Sequence, residues 1–256
     1  MPVVLYLRKD RHAKSTGFTL VELMVVITIA ALLSALLLPS LSTAKEKSKR
    51  TVCKSNQKEL LTAVELYTEE NEDVLPSSAD NSGLYHSIIL SDRTFSNLLL
   101  LTGTSNIFYC PNIVFGDTPG SVPQHSVKYG YVIGYSYWGG YATEGSFKGP
   151  DYEQLPLKST DPSLTTNALI SDANFWTSTA SQAYFPGGMA MAPHGKLGAA
   201  MVKGSTFTVG VGTNSASIGA QGGNVGYFPS GSVTWRNITL MQKVNASSQL
   251  DASGNR

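Results

Sequence analysis

One carboxylate stands alone in an apolar run. From Phe18 to Leu38, about 21 residues carry a single ionisable side chain, Glu22. As an α-helix rising about 1.5 Å per residue, the run is about 31 Å long, enough to cross a hydrocarbon core of about 30 Å. A charge held in that medium costs a few kcal/mol or more, so Glu22 requires a partner. Arg8, Lys9, Arg11 and Lys14 precede the run and would keep that end in the cytoplasm. Two further sets of residues could do chemistry. Cys53 and Cys110 are the only cysteines. In an exported domain they could oxidise to a bridge that closes a loop of about 58 residues and contributes about 4 kcal/mol. The alternative is two separately buried thiols. His194, Asp172 and nearby serines invite a hydrolase reading, yet the Gly-x-Ser-x-Gly, HExxH and CxxC patterns are missing. The histidines His12, His86, His125 and His194 lie far apart and off ligand spacing, which suits loop hydrogen-bonding.

The elements that must position these groups follow from periodicity. Beyond the apolar run come Pro39 and then Val52, Leu60, Leu61, Val64 and Tyr67, at three- and four-residue steps. One rod is expected from Phe18 to about Asn71, kinked at Pro39, with a stripe facing a soluble domain. Glu69, Glu70, Glu72 and Asp73 oppose the negative end of the helix dipole and, with Pro76, mark its stop. Ser87 to Thr102 reads as one or two short helices, and Ile107 to Pro111 as a short strand. Tyr129, Tyr131, Ile133, Tyr135 and Tyr137 alternate as in a strand, and Ala168 to Asp172 suits a buried one. The stretches 143–166 and 187–198 read as loops, with weak strands at Met201–Val202 and Phe207–Val211. Asn224 to Ile238 forms two β-rich arms about Pro229-Ser230-Gly231, a hairpin. The tail from Asn245 is polar and expected to fray.

The segment Gly17-Phe18-Thr19-Leu20-Val21-Glu22, behind a basic leader, resembles the N-terminal signal of type IV pilins and type II secretion pseudopilins. The resemblance implies cleavage after Gly17 by a prepilin peptidase, N-methylation of the new terminus Phe18, and an assembly role for Glu22. In that family the acid of one subunit meets the terminal amine of its neighbour. The amine has a reference pKa near about 8 and is mostly cationic at neutral pH. Two unit charges about 4 Å apart attract by roughly 4 kcal/mol at an effective dielectric of about 20, which favours one axial register between staggered helices. A cleaved secretory signal or a plain anchor shares the broad layout. Neither accounts for an acid at this place, and a secretory core is usually shorter, about 7–15 residues.

Shorter matches continue downstream. Cys53-Lys54-Ser55-Asn56-Gln57-Lys58, Tyr67 to Asn71, Tyr109-Cys110-Pro111, Ser171-Asp172-Ala173, His194-Gly195 and Gly222-Gly223-Asn224-Val225 with Trp235-Arg236 resemble large pseudopilin-like proteins of planctomycete and verrucomicrobial lineages. Those proteins commonly carry Asp-Gly in the last turn, where this chain has Ser230-Gly231. A serine there can still accept a local hydrogen bond. The resemblance implies an α+β, pilin-like fold, with a long N-terminal hydrophobic α-helix packed on an antiparallel β-sheet head. Its divisions are a leader at 1–17, a membrane or filament-core helix at 18–38, a periplasmic continuation at 39–75, the head at 76–244 and a disordered tail at 245–256.

Composition narrows the partners. Charged residues make up 14% of the chain and the formal net charge is +1, with no basic face for nucleic acid. Lys45, Lys47, Lys49 and Arg50 form one basic cluster, read as a solvated helix face near lipid headgroups. No cofactor is expected. Structural calcium on Asp117, Asp151 or Asp172 would follow only from the family resemblance, without a loop motif to support it. Tyr129 to Tyr141 with Trp138 either pack in the core or form an exposed binding face. The expected protein is a non-catalytic, single-pass subunit of a bacterial inner membrane, with its N-terminus cytoplasmic and its head periplasmic. Its partners are the prepilin peptidase, other pilin or pseudopilin subunits, the inner membrane and the assembly machinery. The alternatives are a minor or tip pilin that binds a surface, and an anchored hydrolase that depends on His194.

Overall fold

The computed structural model describes residues 17–113, 125–140, 156–177, 189–195, 200–203, 221–241, 243–245 and 252–255. The leader before Gly17, Asp117, Asp151, Tyr141 and the stretch Phe207–Val211 lie outside them. The chain divides into two compact units, residues 1–41 and 42–256.

Helix α1 (Leu20–Glu70) carries Pro39 in its interior. Its start is set by Thr19 and Glu22, which form a reciprocal cap. The Thr19 backbone N–H and hydroxyl donate to Glu22 Oε2 at 2.8 and 2.7 Å, and the Glu22 N–H donates to Thr19 Oγ1 at 3.2 Å. Two hydroxyls in the apolar run turn back on their own helix, Thr28 to the Met24 carbonyl and Ser34 to that of Ala30, so each of these donors is satisfied within the helix. Every side chain from Phe18 to Leu41 is exposed, and α1 is long and apolar enough to cross a membrane. The helix ends where expected. Glu72 and Asp73 take left-handed φ values of 53° and 63°, and the Asp73 N–H caps the Thr68 carbonyl at 3.0 Å.

In the second unit, α1 is followed by β1 (Ile89–Leu90) and α2 (Asp92–Thr102). Ser91 caps the start of α2 and Gly103, in left-handed conformation, caps its end. A short 3₁₀ turn (Ser105–Phe108) stands where a strand was expected, because Thr104 caps the Asn106 N–H and tightens the chain. Then come β2 (His125–Ser126), β3 (Gly130–Val132), β4 (Tyr135–Tyr137), β5 (Ile170–Asp172) and β6 (Phe175–Thr177). The tyrosine-rich segment is two strands rather than one. It breaks at Ile133-Gly134, where a Cβ on Gly134 would lie 2.5 Å from the Cys110 backbone nitrogen.

The chain closes with β7 (Met189–Ala192), β8 (Ala200–Lys203), β9 (Gly222–Tyr227), β10 (Ser232–Asn237), β11 (Lys243–Asn245) and β12 (Ala252–Asn255). Strand β7 corrects the loop expected at 187–198, and β12 corrects the frayed tail, since it pairs with both β6 and β11. Among the described residues the strands form three antiparallel sheets, ordered β1-β3-β2, β10-β9-β5-β4 and β11-β12-β6-β7-β8. The expected hairpin is β9–β10, with Ser232 opposite Tyr227. In its turn Ser230 Oγ accepts from the Ser232 N–H at 3.3 Å, which supplies the local bond that an aspartate would.

The core is built on the second half of α1. Cys53, Leu60, Leu61, Ala63 and Val64 pack with Phe108, Tyr135, Tyr137, Ile170 and Val233. Val52, expected on this stripe, is exposed; Cys53 occupies the inward position instead. Gly226 on β9 faces Leu61 so closely that an added Cβ would stand 2.9 Å from Leu61 Cδ1. Tyr135, Tyr137 and Trp138 are buried while Tyr129 and Tyr131 are half-buried, so the described aromatics serve the core rather than an exposed face.

Candidate functional site

Two sites emerge, one in each unit. The first is the N-terminal end of α1. Gly17 and Phe18 precede the helix, and Glu22 sits in its first turn, where the helix dipole favours a negative charge. The cap fixes that carboxylate: both Thr19 donors reach the same oxygen, Oε2. Thr19-x-x-Glu22 is a capping-box pattern legible in the sequence, but the family resemblance drew attention to the acid alone.

The second site lies in the head. It gathers residues that the sequence scatters. Cys53 comes from α1, Cys110 follows the 3₁₀ turn, Asp172 ends β5 and His194 follows β7, and all four are fully buried. Their ligand-type atoms lie within 4.8 Å of one another. Cys110 Sγ is 3.5 Å from His194 Nε2, and His194 Nε2 is 3.4 Å from Asp172 Oδ2. On its other side, His194 Nδ1 meets Glu46 Oε1 at 2.8 Å. Gln57 donates to Asp172 Oδ1 at 2.8 Å, and the Asn224 backbone N–H donates to Oδ2 at 2.5 Å.

A polar ring supports the cluster. Glu46 accepts from Arg50 Nε at 2.9 Å and from Asn112 Nδ2 at 2.6 Å. Arg50 also donates to the Gly195 carbonyl and Gln221 Oε1, each at 2.9 Å, and stacks 4.2 Å above the Trp235 ring. Lys49 donates to Asn112 at 2.6 Å. The basic cluster therefore divides: Lys45 and Lys47 are exposed, whereas Lys49 and Arg50 are half-buried against the head.

Charge follows these contacts. Burial works against a positive His194, but Asp172, Cys110 and Glu46 outweigh it and push its pKa up to about 10. Burial also tends to raise Glu46, yet hydrogen bonds from His194, Arg50 and Asn112 hold it below the usual carboxylate range. Burial raises Asp172. Between Asp172 and His194 the imidazole's shift governs, because each of its nitrogens faces a carboxylate oxygen within 3.4 Å. Burial likewise raises the Cys53 thiol. At Cys110 burial acts the same way, but hydrogen bonds from Cys53 and His194 bring it down to about 7.

Several expectations change here. Cys53 and Cys110 are brought together as the bridge required, but both are free thiols, and they share their pocket with Asp172 and His194. His194 is no loop hydrogen-bonder; it is the centre of a buried network. Asp172 faces sulfur and nitrogen rather than a calcium-type oxygen cage. Glu46 and Gln57 were missed, because a glutamate amid Lys45, Lys47 and Lys49 reads as surface. Their spacing was the available signal: 46, 50, 53 and 57 fall on one helix face.

Comparison with known proteins bears on the first site. The prokaryotic N-terminal methylation motif matches residues 12–38. Over 112 residues the chain is 31% identical to the type IV wide pilus major component PilA4 of Thermus thermophilus, covering 44% of this chain and 79% of that protein. The chain belongs to the type IV pilin and pseudopilin family. A further member, the type II secretion system core protein G of Pseudomonas aeruginosa, is 36% identical over 61 residues, covering 24% of this chain and 43% of that protein. No solved structure matches. The pilin-like layout is the one described above: a long apolar helix followed by antiparallel sheets.

Proposed function

We infer that this pilin-family chain is a filament subunit that acts by assembly, not by catalysis. The observation that supports the reading best is the α1 terminus. A single carboxylate, Glu22, is held at the start of an apolar helix whose whole surface from Phe18 to Leu41 is uncovered. Such a surface requires lipid or other helices around it. Prepilin peptidase would cut after Gly17, and the Phe18 amine, methylated but still charged, would become the partner that Glu22 needs. Before assembly the helix is stored in the inner membrane with the head in the periplasm. In the filament, Glu22 of one subunit pairs with the Phe18 amine of the next and sets the axial register.

The burial of His194, Asp172 and both cysteines weighs against the hydrolase alternative, since a substrate has no approach to them. The test compares Glu22→Ala and Glu22→Asp with the parent chain. N-terminal sequencing should begin at Phe18 in all three, while filament recovery by shearing falls at least tenfold for Glu22→Ala. Normal filament growth by Glu22→Ala, or a mature chain that keeps its leader, refutes the reading.

A further inference from the structure

We propose that Cys53, Cys110, Asp172 and His194 form a closed four-ligand site for a borderline-soft divalent cation, zinc, which fastens the head's sheets to helix α1. The donor set is the first reason. Thiolate and imidazole with one carboxylate suit zinc, whereas calcium and magnesium take oxygen.

Geometry is the second. A tetrahedral centre with bonds of about 2.0–2.3 Å places its ligand atoms about 3.3–3.8 Å apart. The two edges at His194 Nε2, to Cys110 Sγ at 3.5 Å and to Asp172 Oδ2 at 3.4 Å, fall in that range. All four residues are fully buried, which leaves no open position for water and makes the site structural.

The surroundings are the third reason. A histidine that ligates through Nε2 is held by a carboxylate on its other nitrogen, and Glu46 stands there at 2.8 Å. Asp172 is oriented by Gln57 and by the Asn224 N–H. Two thiolates and the carboxylates of Asp172 and Glu46 bring four negative charges, which a divalent cation balances together with Arg50 and Lys49. A simple disulfide uses the two sulfurs but gives no role to the carboxylate-supported imidazole beside them. The ligands come from α1, the segment after the 3₁₀ turn, β5 and the segment after β7, so one ion would tie four distant parts of the head together.

The test uses the full-length chain in detergent, purified from cells supplied with zinc. Metal analysis should find one zinc per chain. After anaerobic reduction, removal of the zinc with a chelator and desalting, cobalt(II) should bind with one equivalent and show thiolate charge-transfer and tetrahedral ligand-field bands. Cys110→Ser and His194→Ala should lose the bands, and Glu22→Ala should keep them. Glu46→Gln retains all four ligands and should bind zinc about 10–100-fold more weakly. The cobalt spectrum of the parent chain decides the matter even if a ligand variant fails to fold. Absence of thiolate bands, or a Cys53–Cys110 disulfide in the zinc-supplied protein, overturns the proposal.

Discussion

The joint between α1 and the β9–β10 hairpin can be tested with a two-residue cycle, Leu61→Ala and Gly226→Ala. Leu61 is 1% exposed, and its Cδ1 sits over the bare backbone of Gly226. Burial of this kind makes Leu→Ala cost about 3–5 kcal/mol, and the glycine opposite has no side chain to lean into the gap, so about 4 kcal/mol is expected. Gly226→Ala adds a methyl 2.9 Å from Leu61 Cδ1, an overpacked contact worth about 1–3 kcal/mol. Independent effects would sum to about 6 kcal/mol. In the double variant, however, the new methyl enters the space that Leu61 vacates. The pair should then cost only about 3 kcal/mol, a coupling of about 3 kcal/mol. Urea unfolding of the full-length protein in detergent, followed by tryptophan fluorescence, measures all four chains; Trp138, buried and bonded to Ser171 at 3.1 Å, is a suitable reporter. A double variant that is additive to within about 0.5 kcal/mol would refute the packing argument.

Two other outcomes follow from single contacts. Thr19→Ala removes the hydroxyl that donates to Glu22 Oε2 and accepts from the Glu22 N–H, leaves the backbone N–H donor in place, and should weaken the start of α1 by about 1 kcal/mol; filament recovery should drop, but less than for Glu22→Ala, and an equal drop would show that the cap itself is the essential element. Burial lowers the pKa of His86 despite Asp80 beside it, so the fold prefers the neutral ring. That contribution is complete above the unfolded value of about 6.5 and is lost as pH falls toward the lower folded value. His86→Gln should therefore flatten the loss of stability between about pH 7.5 and about pH 5.0, read from urea midpoints; an unchanged slope would contradict it.

The parts of the fold legible in sequence were those with local signals. The apolar run, the acidic stop at Glu69 to Asp73 and the Ser230-Gly231 turn each announce themselves through neighbouring residues, and α1 and β9–β10 lie where these place them. Strands β7 and β12 were not legible, because Met-Ala-Met-Ala and Ala-Ser-Gly-Asn have little intrinsic strand preference and gain their form from partners. The first site was legible because all its residues fall within a few positions of one another. The second was hidden for the opposite reason: His194 meets Glu46 across 148 positions of sequence, and no spacing rule reaches that far.

The same separation governs how the molecule is made. Residues 53–64 have their apolar side covered by strands that arrive as late as Val233, so the helix must wait, oily face bare, while nearly the entire polypeptide is synthesised. Contacts this remote in sequence close slowly, and an unfinished head would stick to its neighbours.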